Sequence, residues 1–278
     1  MNVTMARQLV HPRITRALPV QHKPLPKITL SATQLEDTIG CILTVYRRPN
    51  NLAAQLAAVQ QQTVRPKSIL IWHNAGDVLF TAPAGIPCVK ADPNMGVWPR
   101  FLIGMELTTK YVCVFDDDTI PGPRWFENCL NTMKTHRGVL GTVGVTFKHE
   151  TRQGVYKGDS WTRVGWPTPN REVVEVDIVG HSWFFEREWL RAFAAEPRCG
   201  YSTCGEDYHM SVAVQKQLGL KTYVPPHPPD NKDMWGSLKG VELGTDSVAL
   251  YRSELETRKK AQTHATYVAN GWKPLCMR

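Results

Sequence analysis

The sequence predicts an α/β protein with a mainly parallel sheet flanked by helices and with basic arms at its N- and C-termini. Short apolar runs alternate with stretches of helical periodicity through the first half of the chain, which is typical of strand–helix–strand units. Polar and acidic residues follow several of these runs directly. The chain has 278 residues, 42% of them hydrophobic, which is enough for one domain with a well-buried core.

The first elements show this alternation most clearly. The continuous apolar run Ile39–Tyr46 predicts a buried strand. Leu52, Leu56 and Val59 recur at helical spacing after a proline that a first helical turn tolerates. A helix is therefore expected over Pro49–Gln62.

The later elements follow from the same two patterns, short apolar runs for strands and longer periodic segments for helices. The further predicted strands are Ser68–Trp72, Ile86–Lys90, Tyr111–Phe115, Val139–Phe147, Val173–Val179 and Thr222–Val224. The further predicted helices are Pro99–Leu107, Pro123–Thr135, Arg187–Ala195, Glu206–Gln217 and a polar one over Asp246–Ala269.

These elements divide the chain into three segments. Residues 1–37 contain four prolines and little periodicity, which predicts a basic, extended arm. Residues 38–245 are expected to form one folded domain, and residues 246–278 a C-terminal helix with a basic tail. The sequence has no run of about 18 apolar residues and no apolar segment after its first basic residues, so neither a membrane span nor a secretory signal is expected.

The charge distribution and the cysteine content indicate which partners and which cellular location to expect. The net charge is +8, and residues 1–35 and 252–278 carry most of it. Basic ends either meet an anionic surface, such as nucleic acid or acidic lipid headgroups, or act as solvated tails. The seven cysteines are odd in number and form no CxxC pair, which predicts reduced thiols. We therefore expect a cytoplasmic protein, with a peripheral position at a membrane as an option.

The most informative motif is the acidic triplet Asp116, Asp117 and Asp118, which directly follows the apolar run Tyr111–Phe115. Open α/β sheets bind ligands at the carboxyl ends of their strands. Carboxylates there suit Mg²⁺ or Mn²⁺, and two or three are enough because substrate phosphates and water complete the metal's coordination. The alternative is an Asp-rich turn that caps the next helix. The other motifs favour the metal site.

Two other strand ends carry groups suited to a nucleotide. Thr44, Tyr46 and Arg47 end the first strand, where backbone amides and a cation can receive phosphates. An arginine at that position is also common as a solvated surface residue. Asn74 ends the second strand and is a candidate for binding a base or ribose, although a simple polar turn explains it equally well.

Two further segments have polar groups beside predicted elements. Asn94 and Arg100 flank a helix start, where amide donors and positive charge attract a phosphoryl group or sugar hydroxyls, or where the loop merely caps the helix. Gly180 and His181 lie in a small, polar and aromatic segment in which glycine permits close approach of a sugar. Core packing is the alternative for that segment.

The second acidic signal is the pair Glu206 and Asp207 at the predicted start of a helix. The helix dipole and first-turn amides keep a carboxylate there ionised, so it is suited to accept a hydroxyl proton. Helix capping is the alternative role.

In the C-terminal third, His227 in a proline-rich loop is a candidate metal ligand or a structural histidine. Lys232 and Lys239 follow in a segment that reads as a lid over a diphosphate or as a plain surface loop.

The order of these motifs resembles that of the GT-A nucleotide-sugar glycosyltransferases. The residues within each motif look most like those of the family 2-like and exostosin-like members. The resemblance spans roughly residues 38–225. The segments that carry it are Thr44–Arg48, Trp72–Gly76, Asn94, Asp116–Thr119, Val179–Phe185 and Glu206–Asp207.

The resemblance implies a GT-A, Rossmann-like fold and a role for each acid. Asp116 would approach the nucleotide ribose, Asp118 would bind a metal on the donor diphosphate, and Asp207 would lie beside the anomeric carbon. The chain departs from the exostosin-like pattern at Met95–Trp98, where that pattern has polar or basic residues. This departure leaves the donor sugar and the stereochemical outcome open.

We therefore expect a glycosyltransferase, dependent on Mn²⁺ or Mg²⁺, that moves a sugar from a UDP-sugar to a hydroxyl of a glycan or lipid-linked saccharide. Asp207 would take the hydroxyl proton in an inverting reaction. The alternative acceptor is a hydroxylated base in DNA, with the basic arms following the phosphates. Two other classes stay open: a metal-dependent nuclease, and a non-catalytic protein that binds nucleotide sugars.

Overall fold

The computed structural model describes residues 37–74, 80–148, 160–247, 249 and 252–278, so the predicted N-terminal arm lies almost entirely outside it. The strands in this range are β1 (Ile39–Val45), β2 (Ser68–Asn74), β3 (Cys88–Ala91), β4 (Tyr111–Phe115), β5 (Gly138–Phe147), β6 (Trp161–Gly165), β7 (Val174–Val176), β8 (Ile178–Glu186) and β9 (Lys221–Val224). The α-helices are α1 (Leu52–Gln60), α2 (Pro99–Leu102), α3 (Trp125–Thr135), α4 (Leu190–Ala195), α5 (Glu206–Leu218), α6 (Gly240–Leu243) and α7 (Glu254–Ala269).

All of these strands join one sheet, in the order β3-β2-β1-β4-β8-β5-β9-β7, with β6 paired to β5. Strands β3, β2, β1 and β4 run parallel to one another, whereas β8 runs antiparallel to both β4 and β5. The parallel strands bring their carboxyl ends to one edge of the sheet. The predicted α/β fold is confirmed, with a parallel half and a mixed half that meet between β4 and β8.

Strand β8 contains a bulge where it passes the end of β4. Gly180 pairs with Val143 and Trp183 pairs with Gly141, so two residues of β8, His181 and Ser182, oppose a single residue of β5. His181 has a φ of 64°, a left-handed conformation that is uncommon outside glycine. A bulge of this kind redirects a side chain, and here it affects the histidine beside the acidic triplet.

The core lies along the central strands. Every residue of β1 and β4 is buried, and aromatic rings from neighbouring helices cover them. Phe126 of α3 packs its ring against Phe115 and Phe184, and Phe101 of α2 stacks on Phe193 of α4. None of the described helices combines the length and apolar character needed to cross a membrane.

The C-terminal helix packs on the domain. Tyr267 of α7 shares a buried hydrogen bond with His209 of α5, and the Trp272 indole donates to Gln215 at 2.7 Å. Arg278 at the chain end pairs with Glu175 at 2.9 Å. In this region α7 therefore supports α5, the helix that begins with the second acidic pair.

The predicted elements match the structure best where a single sequence pattern covers a whole strand or helix. Tyr111–Phe115 and the helix start at Glu206 are confirmed. The expected helix Asp246–Ala269 begins instead at Glu254, where the Ser253 hydroxyl caps it by accepting from the Glu256 amide at 3.3 Å.

Three other elements differ from their predictions, whereas the prediction for the cysteines agrees with the structure. Strand β6 was not predicted, and the expected strand Val173–Val179 is divided between β7 and β8. The helix expected over Pro99–Leu107 is α-helical only to Leu102 and continues as a 3₁₀ turn. All seven cysteines lie in described residues and are free thiols, in agreement with the prediction.

Replacement of Phe126 by alanine tests the packing of α3 on the sheet. The side chain is fully buried, so Phe126→Ala should lower the free energy of unfolding by about 3–5 kcal/mol. Urea denaturation followed by circular dichroism measures the change. The control is Leu255→Ala at a residue that is 61% exposed, for which a change within about 0.5 kcal/mol is expected. Equal effects of the two substitutions would contradict this packing.

Candidate functional site

The acidic triplet lies at the carboxyl edge of the parallel strands, and Arg48 sits among its carboxylates. Arg48 follows β1 and donates from Nη1 to Asp117 Oδ1 at 2.8 Å and to Asp118 Oδ2 at 2.9 Å. Its Nε and Nη2 atoms donate to the carboxylate of Asp246 at 2.8 and 2.7 Å. One guanidinium therefore joins three acids and connects the segment after α6 to the end of β4.

The triplet carries more negative charge than Arg48 neutralises. Burial raises the pKa values of Asp117 and Asp118 to about 6, nearby carboxylates add to this effect, and Arg48 opposes it. Burial alone would lower the pKa of Arg48, but hydrogen bonds and charge from its acidic partners raise it. A further cation at this position would relieve the remaining repulsion.

A second arginine connects the triplet to helix α5. The buried Arg100 of α2 donates from Nη1 to Asp116 Oδ1 and from Nη2 to Glu206 Oε1, the latter at 2.7 Å. Its guanidinium lies over the Trp183 ring, 4.7 Å from the centroid. Burial raises the pKa of Glu206 to about 7, although the charge of Arg100 opposes this shift. Arg100 therefore fixes the start of α5 relative to β4.

Asp207 stands at the first turn of α5, next to the glutamate that Arg100 holds. Gly205 precedes the helix with a φ of 101°, which glycine adopts without strain. The Asp207 carboxylate is half-buried and accepts from the Tyr208 amide at 2.8 Å. The two predicted acidic sites are therefore connected through a single buried arginine.

One group of side chains in the described range has the spacing of a metal site: Asp116, Asp118 and His181, whose ligand atoms all lie within 4.8 Å of one another. The Asp116 amide donates to the His181 carbonyl at 3.0 Å, so the bulge in β8 sets their separation. Nδ1 of His181 is buried and has no hydrogen-bond partner among the residues that the structure describes. Two carboxylates and an imidazole with an unpartnered nitrogen fit a divalent cation.

His227 is not placed with this group, which corrects the expected ligand set. It is completely buried, its Nδ1 bonds to the Pro225 carbonyl at 2.8 Å, and its Nε2 accepts from the Gly236 amide at 3.1 Å. Burial lowers its pKa to about 4, so the ring is neutral. Because both ring nitrogens hold backbone groups, His227 is a structural residue here, and His181 takes its place as the candidate histidine ligand.

The residues predicted from the first two strand ends lie at the same edge. Thr44 is buried, and its hydroxyl has no hydrogen-bond partner in the described range. Tyr46 is half-buried, with the Arg47 guanidinium 5.1 Å from its ring centroid. Asn74 donates to Asn94 Oδ1 at 2.9 Å, so the two side chains are neighbours. Asn74 therefore fixes the loop before α2.

The remaining predicted residues are Gly180, Lys232 and Lys239. A Cβ added to Gly180 would meet no atom of the described residues within 4 Å. Lys232 is exposed, 5.7 Å from the Trp235 ring centroid, and Lys239 is exposed immediately before α6. The segment between these lysines is fastened by the Gly122 amide, which donates to the Trp235 carbonyl at 2.8 Å.

Sequence reasoning missed two contributors to the site. Arg47 was chosen at the end of β1, whereas Arg48 is the arginine that reaches the acids. Asp246 was considered only as the start of a helix. No local signal distinguishes Arg48 from Arg47, because their difference lies in the direction that the chain takes after β1.

Comparison with known proteins identifies the fold. No family model matches the chain, and no curated protein matches it. The fold is that of the GT-A-type nucleotide-sugar glycosyltransferases. A similar solved structure is the mannosyltransferase PcManGT from Pyrobaculum calidifontis in complex with GDP-Man and Mn²⁺, with 14% identity and a TM-score of 0.50 over 85% of this chain and 65% of that one.

A second similar structure is S. aureus TarS, with 12% identity and a TM-score of 0.45 over 68% of this chain and 36% of that one. Residues 1–349 of TarS in complex with UDP-GlcNAc also match, with 12% identity and a TM-score of 0.45 over 83% of this chain and 71% of that one. The chain thus spans about a third of the longer TarS chain and about two thirds of the mannosyltransferase chain. At these identities the likeness concerns the fold.

The pH dependence of metal binding tests the candidate metal group. Because the folded pKa of Asp118 is raised to about 6, the metal-free protein takes up protons as the pH falls and is stabilised by these acids below that value. Protons then compete with metal. The rise in melting temperature caused by Mn²⁺ should be largest above about pH 7 and shrink toward about pH 5. A rise independent of pH would contradict binding at these carboxylates.

Arg100→Met tests the link between the acids. The substitution leaves Asp116 and Glu206 without their buried partner, so we expect a loss of about 3–5 kcal/mol in the free energy of unfolding. The control is Arg124→Met, at an exposed surface pair with Glu127 whose loss should leave the free energy of unfolding nearly unchanged. Chemical denaturation measures both, and a loss for Arg100→Met as small as the control's would contradict the assigned role.

Proposed function

We propose that the protein is a metal-dependent glycosyltransferase that moves a sugar from a nucleotide-sugar donor to a hydroxyl of a glycan or lipid-linked saccharide. The observation that carries the proposal is the connected pair of acidic sites. A candidate metal group at the end of β4 and a half-buried carboxylate at the start of α5 are held in one arrangement by Arg100. Transfer from a diphosphate needs both functions, charge neutralisation and proton removal.

The donor side comprises the carboxyl ends of the parallel strands. Asp116 and Asp118, with His181, would hold the metal, which when bound supplies positive charge to the departing diphosphate. Arg48, which bonds to Asp117 and Asp118, is a fixed cation beside this metal group. We expect a UDP-sugar, with the buried Thr44 hydroxyl among the groups available to the nucleotide.

Asp207 is the proposed base. Glu206 is buried and engaged by Arg100, whereas Asp207 is half-buried and accepts only from its own helix in the described range. In an inverting transfer the acceptor oxygen bonds to the anomeric carbon while the bond from that carbon to the diphosphate breaks. Asp207 takes the hydroxyl proton, and the nucleoside diphosphate leaves with the bonding electron pair.

The donor set favours Mn²⁺ over Mg²⁺. Magnesium prefers oxygen ligands in near-ideal octahedral geometry, whereas an imidazole is a better ligand for a transition metal. Because the proposed set contains His181, we expect tighter binding of Mn²⁺. Binding of an anionic surface by the basic N- and C-terminal segments, and a cytoplasmic or membrane-peripheral location, are further parts of the proposal.

Thermal shift measurements against a panel of nucleotides and nucleotide sugars, with and without Mn²⁺, test the donor site. We expect a metal-dependent rise in melting temperature with uridine nucleotides in the wild type and its loss in Asp118→Asn. The matched control is Asp230→Asn, at an exposed aspartate paired with Arg171, which should keep the full shift. The absence of a shift with every nucleotide would refute the donor site.

Asp207→Asn separates catalysis from binding. Removal of the base should lower kcat by about 10²- to 10⁴-fold while the thermal shift with the donor stays as in the wild type. Release of nucleoside diphosphate in the presence of acceptor measures the rate. If Asp207→Asn retains the wild-type rate, the base is a different group, and the role assigned to the α5 start is wrong.

A further inference from the structure

Arg163 is a partly buried cation whose partners differ from those of the other two arginines near the site. It lies on β6, where it pairs with Val145 of β5. Its Nη2 donates to Nε2 of His181 at 3.2 Å, and its guanidinium lies 5.7 Å from the Trp166 ring centroid. Its Nε is buried and has no hydrogen-bond partner among the described residues.

The electrostatic contrast with Arg48 and Arg100 is clear. Burial lowers the pKa of Arg163, and no described carboxylate opposes this effect, whereas acids raise the pKa values of the other two. Arginine stays charged in proteins, so this guanidinium keeps a positive charge that is partly removed from water and that no carboxylate of the described residues neutralises. Such a group costs free energy in the unliganded protein. An anion that binds beside it would recover that cost.

The position of Arg163 indicates which substrate carries the anion. His181 lies between Arg163 and Asp116, so Arg163 is on the antiparallel side of the candidate metal group, away from the parallel strands. Gly180 and Arg163 share a face of the sheet, since Ile178, two residues before Gly180, pairs with the same Val145. A Cβ at Gly180 would meet none of the described residues within 4 Å. Among these residues, this face therefore has room for a ligand next to the metal group.

Metal binding would also free Arg163 from its present contact. In the structure Nε2 of His181 accepts a hydrogen bond from Arg163. If a metal takes Nε2, that acceptor is lost; if it takes Nδ1, the neutral ring carries its proton on Nε2 and opposes the guanidinium. In either case Arg163 needs a new acceptor.

We propose that Arg163 binds an anionic group, a phosphate or a carboxylate, on the saccharide acceptor, which lies over β5, β6 and β8 beside the metal group. This inference rests on the proposed function and extends it to the acceptor class. A single guanidinium suits one anionic substituent on a sugar, since arginine binds either a phosphate or a carboxylate bidentately. A nucleic acid would instead need a row of cations along its phosphates.

Binding of small probes tests the proposal. Isothermal titration of the full chain, with Mn²⁺ and UDP present, would compare glucose 1-phosphate, glucuronate and glucose. We expect the two anionic sugars to bind more tightly than glucose, and Arg163→Gln to weaken them about tenfold or more while leaving glucose unchanged. Preference for one of the two identifies phosphate or carboxylate as the group. Arg171→Gln, at an exposed arginine, is the matched control and should change nothing.

Stability and donor binding give independent readouts. Removal of an uncompensated charge should leave the melting temperature of unliganded Arg163→Gln unchanged or raised, whereas a purely structural role would lower it. Weaker binding of UDP by Arg163→Gln would reassign the residue to the donor and overturn the proposal. Loss of affinity for a short DNA duplex, with no effect on sugar binding, would overturn it too. If anionic sugars bind through Arg163 but no nucleotide shifts the melting temperature, the donor site fails and the anion site stands.

Discussion

The cluster of carboxylates at the end of β4 depends on Arg48 and Arg100, whose guanidinium groups lie among the acids. Without Arg48 and Arg100, the acidic triplet, Glu206 and Asp246 would repel one another at a partly buried position. Each arginine has a fork of donors that can serve acids from different parts of the chain, which a lysine ammonium cannot match in geometry. The arrangement of the whole edge, including the start of α5, follows from these two side chains.

The site also depends on the change of strand direction between β4 and β8. The parallel strands provide an edge suited to phosphates, and the antiparallel strands extend the surface beyond it. The bulge at His181 lies at this boundary and turns a histidine towards both halves: it is near Asp116 on one side and Arg163 on the other. A single irregularity in one strand thus allows one residue to serve two neighbouring regions.

The sequence predicts those parts of the site that depend only on residues close to one another in the chain. The triplet and the acids at the α5 start were found because each directly adjoins a regular element. Arg48 and His181 owe their roles to tertiary geometry: one depends on the chain's turn after β1, the other on a bulge that breaks the alternation of β8. His227 was misjudged because a proline-rich loop says nothing about which backbone groups its ring will meet.

The reach of Arg48 has a consequence for how the protein is assembled. Its partners in the triplet lie about seventy residues further along the chain, but Asp246 is 198 residues away. During synthesis, the parallel strands and the triplet can form well before the ribosome has released the segment after α6. Contacts of such long sequence separation close late because of their loop entropy. Arg48 can therefore bond to the triplet before Asp246, its third acidic partner, has been synthesised.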